Sequence, residues 1–143
     1  MPVAKMTPEA FHELATQGVP YVGQLDFSVL LFEHGCVDVM LPRKDLLLRP
    51  GGTVCGPAMM ALADITLYGV CLSMIGAVSL AVTTDMNIHF LRRPQPGALI
   101  ARGRNLKLGR TLFVGEVTIE SEHSDKAVAH ATGTYSIPPD QER

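Results

Sequence analysis

At 143 residues and a formal charge of −2, the chain has the length of one domain and no charge excess pointing to nucleic acid or an anionic membrane. Its three cysteines, Cys36, Cys55 and Cys71, are odd in number and lack Cys-x-x-Cys spacing, which argues for a reducing, cytoplasmic setting without disulfides. Residues 1–13 carry acids and no apolar run, so no signal peptide is expected.

Thr7-Pro8-Glu9, followed by Ala10, Phe11, Leu14 and Ala15, predicts a short helix over about 7–17, capped by Thr7 and stopped by Gly18. Val19-Pro20-Tyr21 reads as a connector. Leu25–Phe32 and Cys36–Leu41 read as strands joined at His34-Gly35, and Pro42–Gly52 as a loop.

The stretch from Val54 to Ile75 then changes character, with Asp64 its only charged residue. Gly56-Pro57 opens a helix, because proline at the first helical position gives up an amide hydrogen with no helical acceptor. Gly76 closes it after about five turns. Apolar residues on every face mark a buried central helix or a membrane span. Asp64, Pro57, the glycines and the amphipathic strands beyond argue against the span. A lone carboxylate in such a helix must find a partner, stay protonated or line a cavity.

Ala77–Leu91 reads as a strand ending in the turn Arg92–Gly97. Leu99–Leu108 and Thr111–Glu122 form a predicted hairpin across Gly109-Arg110, and Lys126–Ile137 is the last strand. Residues 138–143 read as a frayed tail. Two strands, one apolar helix and four strands in meander give a single α+β domain over 1–143, an antiparallel sheet wrapped around a long central helix. The uncovered sheet face or edge is expected to meet a second subunit.

The Gly-rich entry, the buried helix with one acid, the strand Thr83-Thr84-Asp85-Met86-Asn87-Ile88 and the later Gly109-Arg110 turn recur in that order in one family. The series resembles the hotdog-fold acyl-coenzyme A thioesterases, in particular their phenylacetate-degradation branch, over about Tyr21 to Ile137. The resemblance implies hydrolysis of acyl-coenzyme A by a homodimer or homotetramer, with coenzyme A present only as part of the substrate and no cofactor. It places the catalytic acid at Asp64. The branch opens its helix with His-Gly-Gly where this chain has Cys55-Gly56-Pro57, and an Asn that often helps bind the thioester or water is matched here by Arg49, which the resemblance makes a candidate at the catalytic site. It also matches a hydroxyl residue to Thr83. Strict alternation puts Thr83 with Asp85, Asn87 and His89, opposite Met86, Ile88 and Phe90. Thr83 therefore reaches the helix only at a strand end, a bulge or a subunit seam.

Thioester hydrolysis needs an activated water or an attacking carboxylate, plus donors aimed at the developing oxyanion. Asp64 suits the first role, as base or nucleophile, and burial would raise its pKa toward use as a base. The Gly56 amide, at the positive end of the helix, suits the second. Eight residues separate them, about 12 Å along the axis, so the pair cannot bracket one carbonyl carbon within one chain. A two-fold dimer would bring each Asp64 to the partner's Gly56.

Cys55, Met60 and Tyr68 are candidate substrate contacts, with Met59, Leu67 and Met74 as further acyl-pocket candidates. Arg92, Arg93, Arg102, Arg104 and Arg110 are candidates for the phosphates of coenzyme A, Arg102 and Arg104 sharing one strand face. Each of these residues has an ordinary alternative as core or solvated surface. Asp64 itself could be a structural acid bonded to a turn or to Thr66 and Ser73. The departures at Cys55, Pro57 and Arg49 leave a non-catalytic acyl-thioester or lipid-binding protein as the alternative function. A hotdog dehydratase would need a histidine that the helix entry lacks. Metal spacing, a Gly-x-Ser-x-Gly elbow and a nucleotide loop are not found in the sequence.

Overall fold

A computed structural model describes residues 2–140. Helix α1, Pro8–Gly18, begins where Thr7 Oγ1 accepts a hydrogen bond from the Ala10 amide at 3.0 Å, and it buries Phe11 and Ala15. The expected connector after it is instead a helical turn, α2, Pro20–Gly23, because Pro20 again takes the first helical position. Strands β1, Ser28–Glu33, and β2, Cys36–Leu41, form a hairpin in which Gly35 adopts φ +78°. A short 3-10 turn, Asp45–Leu47, and a Leu48–Val54 bridge fold the following loop back on itself.

Helix α3 spans Gly56–Ile75 and ends at Gly76 in a left-handed conformation, φ +91°. It is long and apolar enough to cross a membrane by composition, yet 72% of its most apolar 18-residue stretch is buried inside the domain. The sheet wraps it closely because three strand glycines face it. A Cβ at Gly103 would stand 2.6 Å from Thr66 Cγ2 and 2.8 Å from Val70 Cγ2, and one at Gly133 would stand 2.6 Å from Leu67 Cδ1. Gly115 pairs directly with Gly133, so Leu67 lies over both. Thr66 and Ser73, the polar groups buried deepest on α3, bond to the Leu62 and Val70 carbonyls of their own helix. Neither bonds to Asp64, whose partners lie on the sheet.

Strands β3, Val82–Phe90; β4, Leu99–Leu108; β5, Leu112–Ser121; and β6, Ala127–Ser136 complete a six-stranded antiparallel sheet in the order β1-β2-β4-β5-β6-β3. The meander is thus three-stranded, β4-β5-β6, and not four-stranded as the sequence suggested. The eight-residue connection 91–98 is too long for a tight hairpin. It carries the chain past the sheet, with Leu91 N bonded to Val128 O and Gln95 N to Ser121 Oγ. As a result β3 pairs with β6 and forms one edge of the sheet. Of the tail 138–143, residues 141–143 lie outside the described residues. Just before it, Ile137 is buried and its amide bonds to Thr111 O.

Candidate active site

Asp64 is half-buried in the middle of α3. Its Oδ1 accepts two hydrogen bonds, from Thr83 Oγ1 at 2.7 Å and from Tyr135 Oη at 2.7 Å. Thr83 reaches it through a β-bulge. The register between β3 and β6 slips between Thr83 and Asp85, so Thr84 is the extra residue, and Thr83 joins Met86 and Ile88 on the helix side. Tyr135 is the residue opposite Thr83 on β6, which makes the two donors cross-strand partners aimed at one oxygen.

Sequence reasoning missed Tyr135. The signal was present, because inward positions on β6 alternate as Ala129, Ala131, Gly133 and Tyr135, and only the last carries a donor. Burial, with the Asp64 carboxylate adding to it, pushes the Tyr135 phenol far above its ordinary value. It therefore stays protonated and donates. The ring is held by Tyr68, stacked at 5.8 Å, and by Phe113, edge-on at 6.3 Å.

Asp64 Oδ2 has no hydrogen-bond partner among the described residues. Among the described residues no buried side-chain polar atom is left unpaired, so Oδ2 opens to space. That space is a cavity of about 340 Å³ at whose polar end lie Asp64, Thr83 and Tyr135. Tyr68 and Ile65 of α3, Leu80 and Ala81 of the loop after it, Val82 of β3, and Ala15, Val19 and Val22 of the N-terminal segment line the rest. Tyr68 donates its hydroxyl to Ser79 O at 3.0 Å, and its ring packs against Phe11. Of the other acyl-pocket candidates, Met59, Leu67 and Met74 are core residues, each 5% exposed or less. Met60 is 44% exposed and borders none of the cavities described here.

A second cavity, about 380 Å³, lies at the N-terminus of α3 and brings together Gly56, Arg49, Arg92 and Arg93, with Phe90 and Leu91 as apolar rim. Cys55 is the N-cap residue but makes no side-chain capping bond, so no side chain at the N-cap position satisfies the free amides of the first turn. Arg49 is positioned by the loop glycines, its amide bonding Thr53 O and its carbonyl receiving Gly52 N. The Arg92 guanidinium donates to Ala127 O. Cys55 borders a different, smaller space together with Pro57, Tyr21 and Leu46.

Arg102 and Arg104 are elsewhere. They point away from α3, whose side of β4 is marked by Ala101 and Gly103. Both bind Asp38, at 3.0 and 2.9 Å, and Arg102 also binds Glu120 at 3.1 Å. Asp38 is only 6% exposed, so these guanidinium groups neutralise a buried carboxylate. The pair expected to hold phosphate on β4 is thus engaged with the Asp38 and Glu120 carboxylates of its own chain. Arg110 borders a surface hollow with Thr111 and Ser136, apart from the cluster at Gly56.

Other proteins share this arrangement of chain. A putative thioesterase from Silicibacter sp. TM1040 has a solved structure 39% identical to this chain, covering 95% of this chain and 94% of that one with a TM-score of 0.86. The phenylacetic acid degradation protein PaaI of Thermus thermophilus is 27% identical over 83% of this chain and 99% of its own, with a TM-score of 0.73. A protein of Saccharolobus solfataricus named "Putative esterase" is 33% identical over 114 residues, 79% of either chain. The model of the Thioesterase superfamily matches residues 51–128, the segment that carries α3, Asp64 and Thr83. The fold is the hotdog, the reaction class is acyl thioester hydrolysis, and the chain belongs to the Thioesterase superfamily.

Proposed function

We propose that the chain hydrolyses acyl-coenzyme A thioesters as a two-fold dimer with two composite sites, each joining Asp64 of one chain to the Gly56 helix end of the other. The observation that carries this reading is the position of the two half-sites along the edge strand β3. Asp64 sits at its beginning, bonded to Thr83, and Gly56 at its end, where a Cβ would touch the Phe90 ring at 3.6 Å. An edge strand has unpaired backbone groups and accepts another strand. If β3 pairs antiparallel with its copy about a two-fold at Asn87, Met86 falls opposite the partner's Ile88 and, across the bulge at Thr84, Thr83 falls opposite the partner's Phe90. Each Asp64 then faces the partner's Gly56.

In that setting the roles divide cleanly. Oδ2 of Asp64 takes a proton from water or attacks the carbonyl carbon directly, while Oδ1 is fixed by Thr83 and Tyr135. The partner's Gly56 amide receives the oxyanion at the positive end of α3, and Pro57, lacking an amide, adds no donor. Arg49, Arg92 and Arg93 at the same mouth suit the phosphates of coenzyme A. No cofactor enters this scheme, and the free cysteines agree with a cytoplasmic location.

The test is release of free thiol from a panel of acyl-coenzyme A esters by wild type and Asp64→Asn. The amide is nearly isosteric but takes no proton from water, so turnover should fall by about 10³-fold or more while acyl-coenzyme A still binds. A variant that keeps wild-type turnover would make Asp64 structural. Binding without turnover in the wild type itself would favour the acyl-thioester carrier suggested by Cys55, Pro57 and Arg49.

A further inference from the structure

We propose that the N-terminal helices α1 and α2 form the specificity wall of the Asp64 cavity and restrict it to uncharged, apolar acyl groups of medium length. This rests on the thioesterase reading of Asp64 and names the substrate class of that site. The cavity has two contributors. Asp64, Ile65, Tyr68 and Thr83 come from the segment matched by the superfamily model, residues 51–128. Ala15, Val19 and Val22 come from outside it. The wall is firmly seated. Phe11 of α1 is fully buried, stacks on Phe32 at 5.4 Å and meets the Tyr68 ring edge-on at 5.9 Å. Movement of α1 is therefore coupled to the helix that carries Asp64.

Size follows from volume. At ~30 Å³ per non-hydrogen atom, the share a water takes in the liquid, about 340 Å³ holds roughly ten such atoms. Eight- to ten-carbon straight chains, or one ring with a short tether, are near that ceiling. Charge follows from the lining. Among the described residues of the chain itself no Lys, Arg or His borders the cavity, and its ionisable groups are Asp64, Tyr68 and Tyr135. An acyl group ending in a carboxylate would place a second anion in an apolar space without a cation. Val19, 43% exposed, Leu80, 63%, and Val82, 56%, supply an apolar rim at the opening.

The experiment measures kcat/KM for straight-chain acyl-coenzyme A from two to sixteen carbons, and for hexanoyl against adipoyl, which differ by a terminal carboxylate. In wild type the values should peak near eight to ten carbons and drop by ~10-fold or more at fourteen, with adipoyl ~100-fold below hexanoyl. Val22→Ala should move the peak to longer chains, and Val22→Phe or Val19→Phe to shorter ones. The paired enlarging and filling variants guard against a variant that fails to fold. Three peaks that coincide, or adipoyl turned over like hexanoyl, would overturn the proposal. If wild type hydrolyses none of the series, the reaction itself is misread. The same ladder read as binding affinities then tests the wall, with the same opposed shifts expected and coincident affinities overturning it.

Discussion

The two ends of β3 are finished to different degrees. At the Thr83 end the carboxylate is positioned within one chain: two hydroxyls hold Oδ1 of Asp64, leaving Oδ2 open to the cavity, and Tyr135 is wedged between Tyr68 and Phe113. At the Phe90 end, α3 starts without a side-chain cap, and two large apolar residues stay open, Phe90 at 49% and Leu91 at 53% exposed. One end has a carboxylate and no donor for an oxyanion, and the other has donors and cations but no base. On the proposed reading, the difference is that of two half-sites separated by the length of an edge strand. Chemistry that needs both halves at one carbonyl calls for a second copy.

The largest effects should come from the finished end. Tyr135→Phe keeps the ring packing and removes one donor to a charged oxygen, and Thr83→Val removes the other. Hydrogen bonds to ions are worth about 1.5–3 kcal/mol, so each should lower kcat about 10- to 100-fold. The far-UV spectrum should stay the same. Equal kcat in both variants and wild type would mean that Asp64 needs no positioning.

The open end should respond differently. Arg92→Ala with Arg93→Ala should raise KM several-fold and change kcat little, because phosphate contacts hold ground and transition states alike. Arg102→Ala with Arg104→Ala is the contrasting pair. It strands the buried Asp38 carboxylate, so it should cost about 2–3 kcal/mol of stability in urea titration and leave KM near wild type. The opposite pattern, KM rising with the second pair only, would return the phosphate site to β4.

Much of this was legible in the sequence. α3 announced both its ends through Gly56-Pro57 and Gly76, because proline and glycine act on the backbone locally. Asp64 stood out as the one charge in that helix. The place of Thr83 was readable only as a condition, since alternation faced it away and a bulge could turn it back; the bulge at Thr84 does so. What stayed hidden was long-range. Whether β3 pairs with β4 or β6 depends on where a connection travels, which no local pattern encodes. That one choice puts Tyr135 beside Thr83. The pairing of Arg102 and Arg104 with Asp38 was hidden likewise, since the partners are 64 and 66 residues apart. α2 was missed because a single turn leaves too few residues for a period.

The smallest effect is expected at Cys55. Its thiol lies in a different space from Gly56 and Arg49, and no basic side chain is bonded to it among the described residues. Cys55→Ser should stay within about 3-fold of wild-type kcat/KM, whereas loss of turnover would move the nucleophile from the Asp64 end to the helix entry.

The central claim is that the two ends meet across a two-fold, and co-expression of two inactive variants tests it most directly. One chain carries Asp64→Asn. The other carries Gly56→Val, where a Cβ would meet the Phe90 ring at ordinary contact distance in its own chain. In a heterodimer one composite site collects both lesions and the other collects neither. Random pairing gives about half heterodimers with one intact site each, so roughly a quarter of wild-type activity should return. Sites built within one chain would carry one lesion each in every pairing. A mixture as inactive as its parents, with heterodimers demonstrated by mass, would contradict the shared site.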